Sequence, residues 1–164
     1  MPVKQINLKG YSMIIRKFER RDIPLMARLG RQYWETSNYK TLKYSIKKCH
    51  ALGEIMLVDK RYFAIVAEEE SKIIGMFMGY ISEWPFGDEY IATDLLVYVD
   101  PLYRKGSTGL RMLKEFEQWA KEQGVNQLRP GTSVGNKKQL LSFYRRLGYK
   151  NVGYSFLKEV KDVK

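Results

Sequence analysis

Hydrophobic and polar positions along this 164-residue chain change period several times, and each period predicts an element. Residues 13–18 alternate weakly and end in charges, as a first strand does. Over 19–34, Ile23, Met26, Ala27, Leu29, Gly30 and Tyr33 recur at mostly helical spacing, with Arg20, Arg21, Arg28 and Arg31 on the other faces. Asp22 followed by Ile23 and Pro24 suits the start of that helix, because Asp can cap and Pro fits the first turn. Leu42, Ile46, Cys49 and Leu52 form one stripe of a second helix over 41–52, with Gly53 as its stop. Strands follow at 62–68 and 73–82, joined by the polar turn 69–72 as a hairpin, with Gly75 and Gly79 marking a bulge or the close approach of another backbone.

The run 91–99 is a nearly all-apolar strand interrupted by Asp94, and Leu110, Leu113, Phe116 and Ala120 share one face of a helix over 108–123 that Gly124 stops. A strand is expected at 126–134, but Pro130 and Gly131 break it, since Pro cannot donate a ladder hydrogen bond. A helix over 136–147 and one or two strands within 149–160 complete the order. The alternation indicates one α/β or α+β domain spanning 1–164, with 1–11 as a flexible extension.

Composition narrows the function. The chain carries 29 Lys and Arg against 18 Asp and Glu, a formal net charge of +11, which favours acidic partners such as phosphates, an acidic protein surface or nucleic acid. It disfavours small polycationic substrates unless a local acidic pocket overrides the global field. The loop 83–89 (EWPFGDE) is such a local exception: it either helps hold a cationic amine or packs Trp84 and Phe86 onto the core. Cys49 is the single cysteine and His50 the single histidine, so no intrachain disulfide and no His/Cys metal cluster is expected. Aromatics interleaved with Lys40, Lys43, Lys47 and Lys48 leave nucleic-acid contact open, but no recognised nucleic-acid module is visible and the core reading is favoured. The longest apolar run, 73–81, is too short to span a bilayer, and the N-terminus lacks an apolar secretion core, so a cytoplasmic protein is expected.

Chemistry concentrates after the strand 91–99. Arg104, Lys105, Gly106, Ser107, Thr108 and Gly109 form a basic, Gly-containing loop that opens a helix. A helix start presents unpaired N–H groups and the positive end of its dipole, and Gly lets a large anion approach closely, so this loop reads as a seat for a pyrophosphate. An ordinary strand-turn-helix with a solvated basic loop is the competing reading.

The segment VYVDPLYRKGSTGLRMLKEFEQWAKEQG resembles the acyl-CoA motif of the GNAT superfamily of N-acetyltransferases, with Arg104 and Gly109 on the motif and Ser107 where a middle Gly is usual. A Ser there can offer its hydroxyl to a phosphate or cap the helix. The run NKKQLLSFYRRLGYKNVG resembles the family's second signature, and DLLVYVDPLYRKGSTG is similar to members carried by phages and prophages. The resemblance implies a mixed, mostly antiparallel sheet of six to seven strands flanked by four helices and splayed between the fourth and fifth strands. It also implies an N-acetyltransferase moving an acetyl group from acetyl-CoA to an amine by direct attack, and a host-cytoplasm location if phage-encoded.

That reaction needs a base, an oxyanion donor and an acid for the departing sulfur. The resemblance implies Tyr144 as the acid, although Tyr144 also shares a helical face with Leu140 and Leu147 and has a structural reading. It implies backbone N–H groups of Val97, Tyr98 and Val99 for the oxyanion and the pantetheine amides, the loop from Arg104 to Leu110 for the phosphates, and Asn136 for the CoA arm or as a helix cap. Asp94, Glu83 and water are the alternatives for the base, and no metal is expected. The acceptor is an amine-bearing small molecule or protein, no membrane is involved, and a homodimer stays open. The alternative is an inert, CoA-binding GNAT-fold protein whose basic surface holds an acidic partner or nucleic acid.

Overall fold

A computed structural model describes residues 5–6, 12–104, 106–131 and 137–160. The elements run β1 (Gln5–Ile6), β2 (Ser12–Lys17), a 3-10 turn (Arg20–Asp22), α1 (Ile23–Thr36), α2 (Ile46–Val58), β3 (Tyr62–Glu69), β4 (Lys72–Glu83) and β5 (Tyr90–Val99). A second 3-10 turn (Pro101–Tyr103), α3 (Thr108–Glu122), β6 (Gln127–Leu128) and α4 (Lys137–Arg146) follow. The strands lie in sequence order. Pairing is antiparallel from β1 to β5 and parallel between β5 and β6. The fold is thus the expected mixed α+β type with four α-helices among the described residues. Residues 1–133 and 134–164 form two compact units, the second carrying α4.

The strand count falls short of the expected six to seven. Five strands, β2 to β6, make the main sheet, and β1 adds two residues at the outer edge of β2. The strand expected at 126–134 shrinks to β6, because after Arg129 N the next amide facing β5, Gly131 N, donates to the Asp94 carboxylate instead of continuing the ladder. No regular structure forms over 149–160, where Val152, Tyr154, Phe156, Leu157 and Val160 stay exposed. Alternating apolar residues become a strand only against a neighbouring strand, and none pairs with them among the described residues.

Helices cover both faces of the sheet. On one, Ile23, Met26 and Leu29 of α1 and Met56 of α2 pack with Phe18, Val66, Met76, Met78 and Leu96. On the other, α3 lays Met112, Phe116 and Trp119 over Phe63 and Phe77, with the Phe77 and Phe116 rings stacked at 4.8 Å. Burying one such ring contributes about 2–3 kcal/mol. Met112 is fully buried, although the stripe expected for this helix did not include it. Gly75 and Gly79 do mark close approach. A Cβ on Gly79 would stand 2.6 Å from the Phe116 ring and 2.8 Å from the Thr93 carbonyl oxygen.

Two predicted starts and one stop move. The first helix begins at Ile23, not at 19, and Asp22 does not cap it with its side chain. The Asp22 carboxylate instead accepts from Glu19 N at 2.8 Å and from Arg16 Nη1 and Nη2 at 2.7 and 2.9 Å, while Arg16 Nε reaches Glu68 at 2.7 Å. Burial alone would raise the Asp22 carboxyl, but these donors hold it below its ordinary value. The second helix begins at Ile46, where Ser45 Oγ accepts from Lys48 N, and it passes through Gly53 to Val58. Gly53 is a contact rather than a stop: a Cβ there would lie 2.9 Å from Ile23 Cγ1.

Candidate active site

The site grows out of β5. Its ladder with β4 carries one extra residue, Leu95, between the pairs Gly79–Asp94 and Met78–Leu96, and this bulge resets which backbone groups face β4. Asp100 N donates to Ile74 O on β4, so by antiparallel alternation the N–H and C=O groups of Val97 and Val99 point away from β4 and those of Tyr98 point towards it. The Tyr98 side chain packs against the core. Pairing with β6 covers only Ile91 and Ala92 and ends with Arg129 N on Ala92 O at 2.8 Å. Among the described residues no strand pairs with Val97 and Val99 on that side.

Beyond Val99 the chain is steered into α3 by Asp100, whose Oδ1 accepts from Leu102 N at 3.0 Å, with Lys72 Nζ 3.5 Å from Oδ2. Ser107 stands at the N-cap of α3 but its side chain makes no capping bond, so the capping reading of that residue is not realised. The helix ladder starts with Arg111 N on Ser107 O. Among the described residues, the N–H groups of Ser107, Thr108, Gly109 and Leu110 find no acceptor one turn back. A Cβ on Gly106 would meet only the Tyr103 carbonyl oxygen at 3.6 Å, and one on Gly109 only Val99 Cγ2 at 3.8 Å. Among the described residues no group requires these glycines, which leaves space against the backbone for a ligand. These donors suit the phosphates of a coenzyme. Arg104 is turned elsewhere: its Nε donates to Val99 O at 2.8 Å, which ties the loop to the end of β5. Lys105 and Asn136 lie outside the described residues.

Asp94 sits half-buried where β5 and the segment after β6 part, and its Oδ1 accepts from Gly131 N at 2.6 Å. Burial pushes its carboxyl above the ordinary 3.8, and the Gly131 hydrogen bond pulls the other way without cancelling the rise. Next to it Thr93 Oγ1 donates to Arg129 O at 2.8 Å, so side chains of β5 take over where the ladder stops. Glu83 is exposed at the end of β4, opposite Tyr90. It lies four ladder steps from the Gly79–Asp94 pair, about 13 Å away, so the two base candidates are not brought together. Tyr144 lies in α4, half-buried, edge-on to Phe143 at 5.5 Å and to Tyr149 at 5.3 Å.

The Gly131 N–H on Asp94 went unread in the sequence, whereas a bulge at Gly79 was one of the two readings of that glycine, though not its extra residue, Leu95, on the facing strand. Gly79 opposite the bulge and the Pro130–Gly131 break were their only traces. Among the described residues no group of three His, Cys, Asp or Glu side chains is placed to hold a metal, and no helix is long and apolar enough to cross a membrane.

Fold and site together define a class: an α+β domain in which a central strand loses its parallel partner halfway and runs into an anion-receptive helix start. A family model described as an acetyltransferase (GNAT) domain matches residues 59–151, and the chain belongs to that family. Among solved structures, the chain is similar to a predicted acetyltransferase with acetyl-CoA from Clostridium acetobutylicum (TM-score 0.72, 18% identity, covering 90% of this chain and 96% of that one). It is similar to the aminoglycoside N-acetyltransferase AAC(6')-Iy in complex with CoA (TM-score 0.74, 16% identity, 94% and 99% covered). It is equally similar to a transcriptional regulator from Bacillus halodurans C-125 (TM-score 0.72, 18% identity, 90% and 99% covered). At these identities the likeness shows the fold alone. A comparison with curated proteins found no match.

Proposed function

We propose that this chain is an acetyl-CoA-dependent N-acetyltransferase acting by direct attack of an amine. The observation that carries the reading is the continuity between the unpaired outer side of β5 at Val97 and Val99 and the uncapped N-terminus of α3. Two of the solved structures of this fold hold acetyl-CoA or CoA, which supports the same ligand here. Acetyl-CoA supplies an activated thioester when bound. The N–H groups from Ser107 to Leu110 receive its phosphates, Arg104 and Lys105 add positive charge in the same stretch of sequence, and Val97 and Val99 offer backbone groups to the pantetheine amides. The parting of β5 from the chain after β6 is the splay that admits the pantetheine arm, and Asn136 is kept from the family motif as a contact of that arm.

Val97 N–H is the oxyanion donor of this reading, because it is fixed by the ladder and points away from β4. Asp94 is the preferred base over Glu83. It lies next to the bulge, two ladder steps or about 7 Å from Val97, where one water bridges it to the amine, and its raised pKa brings it closer to the range in which a carboxylate exchanges protons usefully. Tyr144 protonates the departing sulfur. The 1–164 chain acts as one catalytic domain.

Calorimetry with acetyl-CoA tests the reading. Saturable binding is expected, and no heat at ligand concentrations up to about 1 mM, a free energy near −4 kcal/mol, removes it. Incubation of a cell extract with isotopically labelled acetyl-CoA, followed by mass spectrometry, identifies the acceptor.

A further inference from the structure

The hairpin between β4 and β5 has no part in the machinery above, yet it is the most unusual surface of this basic chain. Trp84 and Phe86 are 40% and 82% exposed, with their rings edge-to-face at 5.7 Å. They do not pack onto the core as one reading of the sequence had it. The loop is nonetheless held: Trp84 N donates to Glu89 O at 2.7 Å, Gly87 N to Trp84 O at 3.2 Å, and Glu83 pairs with Tyr90 in the ladder. Beside it opens a cleft of about 160 Å³ with Trp84, Glu89 and Tyr90 on the hairpin side and Asn126, Gln127 and Arg129 on the β6 side.

The polar groups of the two walls differ in what they leave free. On the β6 side, Asn126 Oδ1 accepts from Tyr90 N at 2.9 Å, and Gln127 Oε1 accepts from Arg129 Nε and Nη2 at 2.9 and 2.7 Å. The two amide oxygens of that wall are thus taken, Asn126 by the hairpin's Tyr90 and Gln127 by Arg129, whose charge has no carboxylate partner among the described residues. On the hairpin side, the carboxylates of Glu83, Asp88 and Glu89 make no ion pair among the described residues. Exposed indole and phenyl faces beside free carboxylates form a receptor for an ammonium group, through cation–π attraction and charge-assisted hydrogen bonds.

Position gives this receptor a role. Ile91, which also lines the cleft, is three residues before Asp94, about 10 Å along β5. The phosphate-receptive end of the strand lies the other way, beyond Val99. Along the strand, the cleft and the phosphate-receptive end therefore lie on opposite sides of Asp94.

We propose that the β4–β5 hairpin and its cleft bind the remote ammonium group of a small acceptor carrying two or more amines, with Trp84, Phe86 and Glu89 as the contacts and the reacting amine about 10 Å away at Asp94. This rests on the transferase reading and names its acceptor class. It also shows how a chain of net charge +11 can take a polycation: the local field of the hairpin has the opposite sign to the field of the whole.

The test titrates the full chain with three amines of equal length: an alkylamine, an α,ω-diaminoalkane and an ω-amino acid. Calorimetry is run with and without acetyl-CoA. The diamine is expected to bind about tenfold more tightly than either of the others, and Glu89→Gln or Trp84→Ala is expected to erase that preference. Glu115→Gln, which removes an exposed carboxylate on α3, keeps it. Equal binding of the three amines, a preference that survives Glu89→Gln, or tighter binding of the ω-amino acid that Arg129→Gln abolishes, each overturns the proposal. Failure of acetyl-CoA alone to bind defeats the transferase reading, while the diamine titration still decides the cleft.

Discussion

Asp94 shows how one residue can be legible as a problem without its solution being legible. A carboxylate within an apolar strand must be paired, hydrogen-bonded or shifted. Its actual partner is the Gly131 amide, 37 positions away, which no local pattern could announce. Because burial raises its pKa, the folded chain holds this proton more tightly than the unfolded chain does. The stability contributed is full below the unfolded range near 3.8, falls as pH rises towards the raised folded value, and is lost above it. Asn has no such loss, so the Tm of Asp94→Asn should gain on that of the wild type across this window; thermal melts at stepped pH would show it, and a constant difference would contradict the shift. If Asp94 is the base, kcat/KM of the wild type rises through the same raised pKa, and in Asp94→Asn that acidic limb flattens at a lower level. Tyr144 is the opposite case. Its helical position follows from periodicity, but its chemistry is carried by the family motif alone. Tyr144→Phe should lower kcat by about 10²-fold or more while the affinity for acetyl-CoA holds. An unchanged kcat would leave Tyr144 with a structural role, to which its edge-on contacts with Phe143 and Tyr149 belong.

Elements whose ends are set by their own residues were legible, and those set by partners were not. Helix α3 belongs to the first kind. It ends where Gly124, at φ +71, closes a Schellman turn with Gly124 N on Lys121 O and Val125 N on Ala120 O. Gly148, at φ +86, does the same for α4 through Arg145 O and Tyr144 O. Helix α2 belongs to the second kind: Gly53 looks like the same signal, but α1 packs so closely that a side chain has no room there. Strand β4 stands between the two kinds: close approach at Gly79 was expected, the side chain that makes it was not. Gly79 lets α3 press the Phe116 ring onto the sheet opposite the bulge that separates Asp94 from Leu96. Gly79→Ala puts a methyl into contacts of 2.6 Å with that ring and 2.8 Å with the Thr93 carbonyl oxygen, and backbone cannot yield as a side-chain tip can. A loss of about 2–3 kcal/mol in chemical denaturation is expected, with acetyl-CoA binding reduced as well because the bulge sets the direction of Val97. A destabilisation below about 0.5 kcal/mol would show that α3 shifts freely on the sheet.

At the scale of the whole molecule, charge is spread rather than focused. Lys138, Arg145 and Arg146 line a groove of about 380 Å³ on α4, α2 and the turn before it carry Lys43, Lys47 and Lys48, and the hairpin at 83–90 is the acidic exception. Composition announced the global sign and the loop sequence announced the exception. It could not reveal that the loop stands exposed beside a cleft, because that depends on β6 ending after two residues. A spread field acts over distances longer than the screening length, about 10 Å at 0.1 M salt, whereas a contact pair acts within it. A positive whole attracts an anion such as acetyl-CoA and repels a dication such as a diamine, so added salt removes an attraction for one and a repulsion for the other. Raising ionic strength from about 0.05 to 0.3 M should therefore raise the KM for acetyl-CoA several-fold while the KM for a diamine acceptor changes much less, since screening of its hairpin contacts is offset by relief of the long-range repulsion. Steady-state kinetics with each substrate varied in turn measures both slopes. A parallel rise of the two would mean that the acceptor feels no repulsion from the rest of the chain, and that the hairpin's sign is not what admits it.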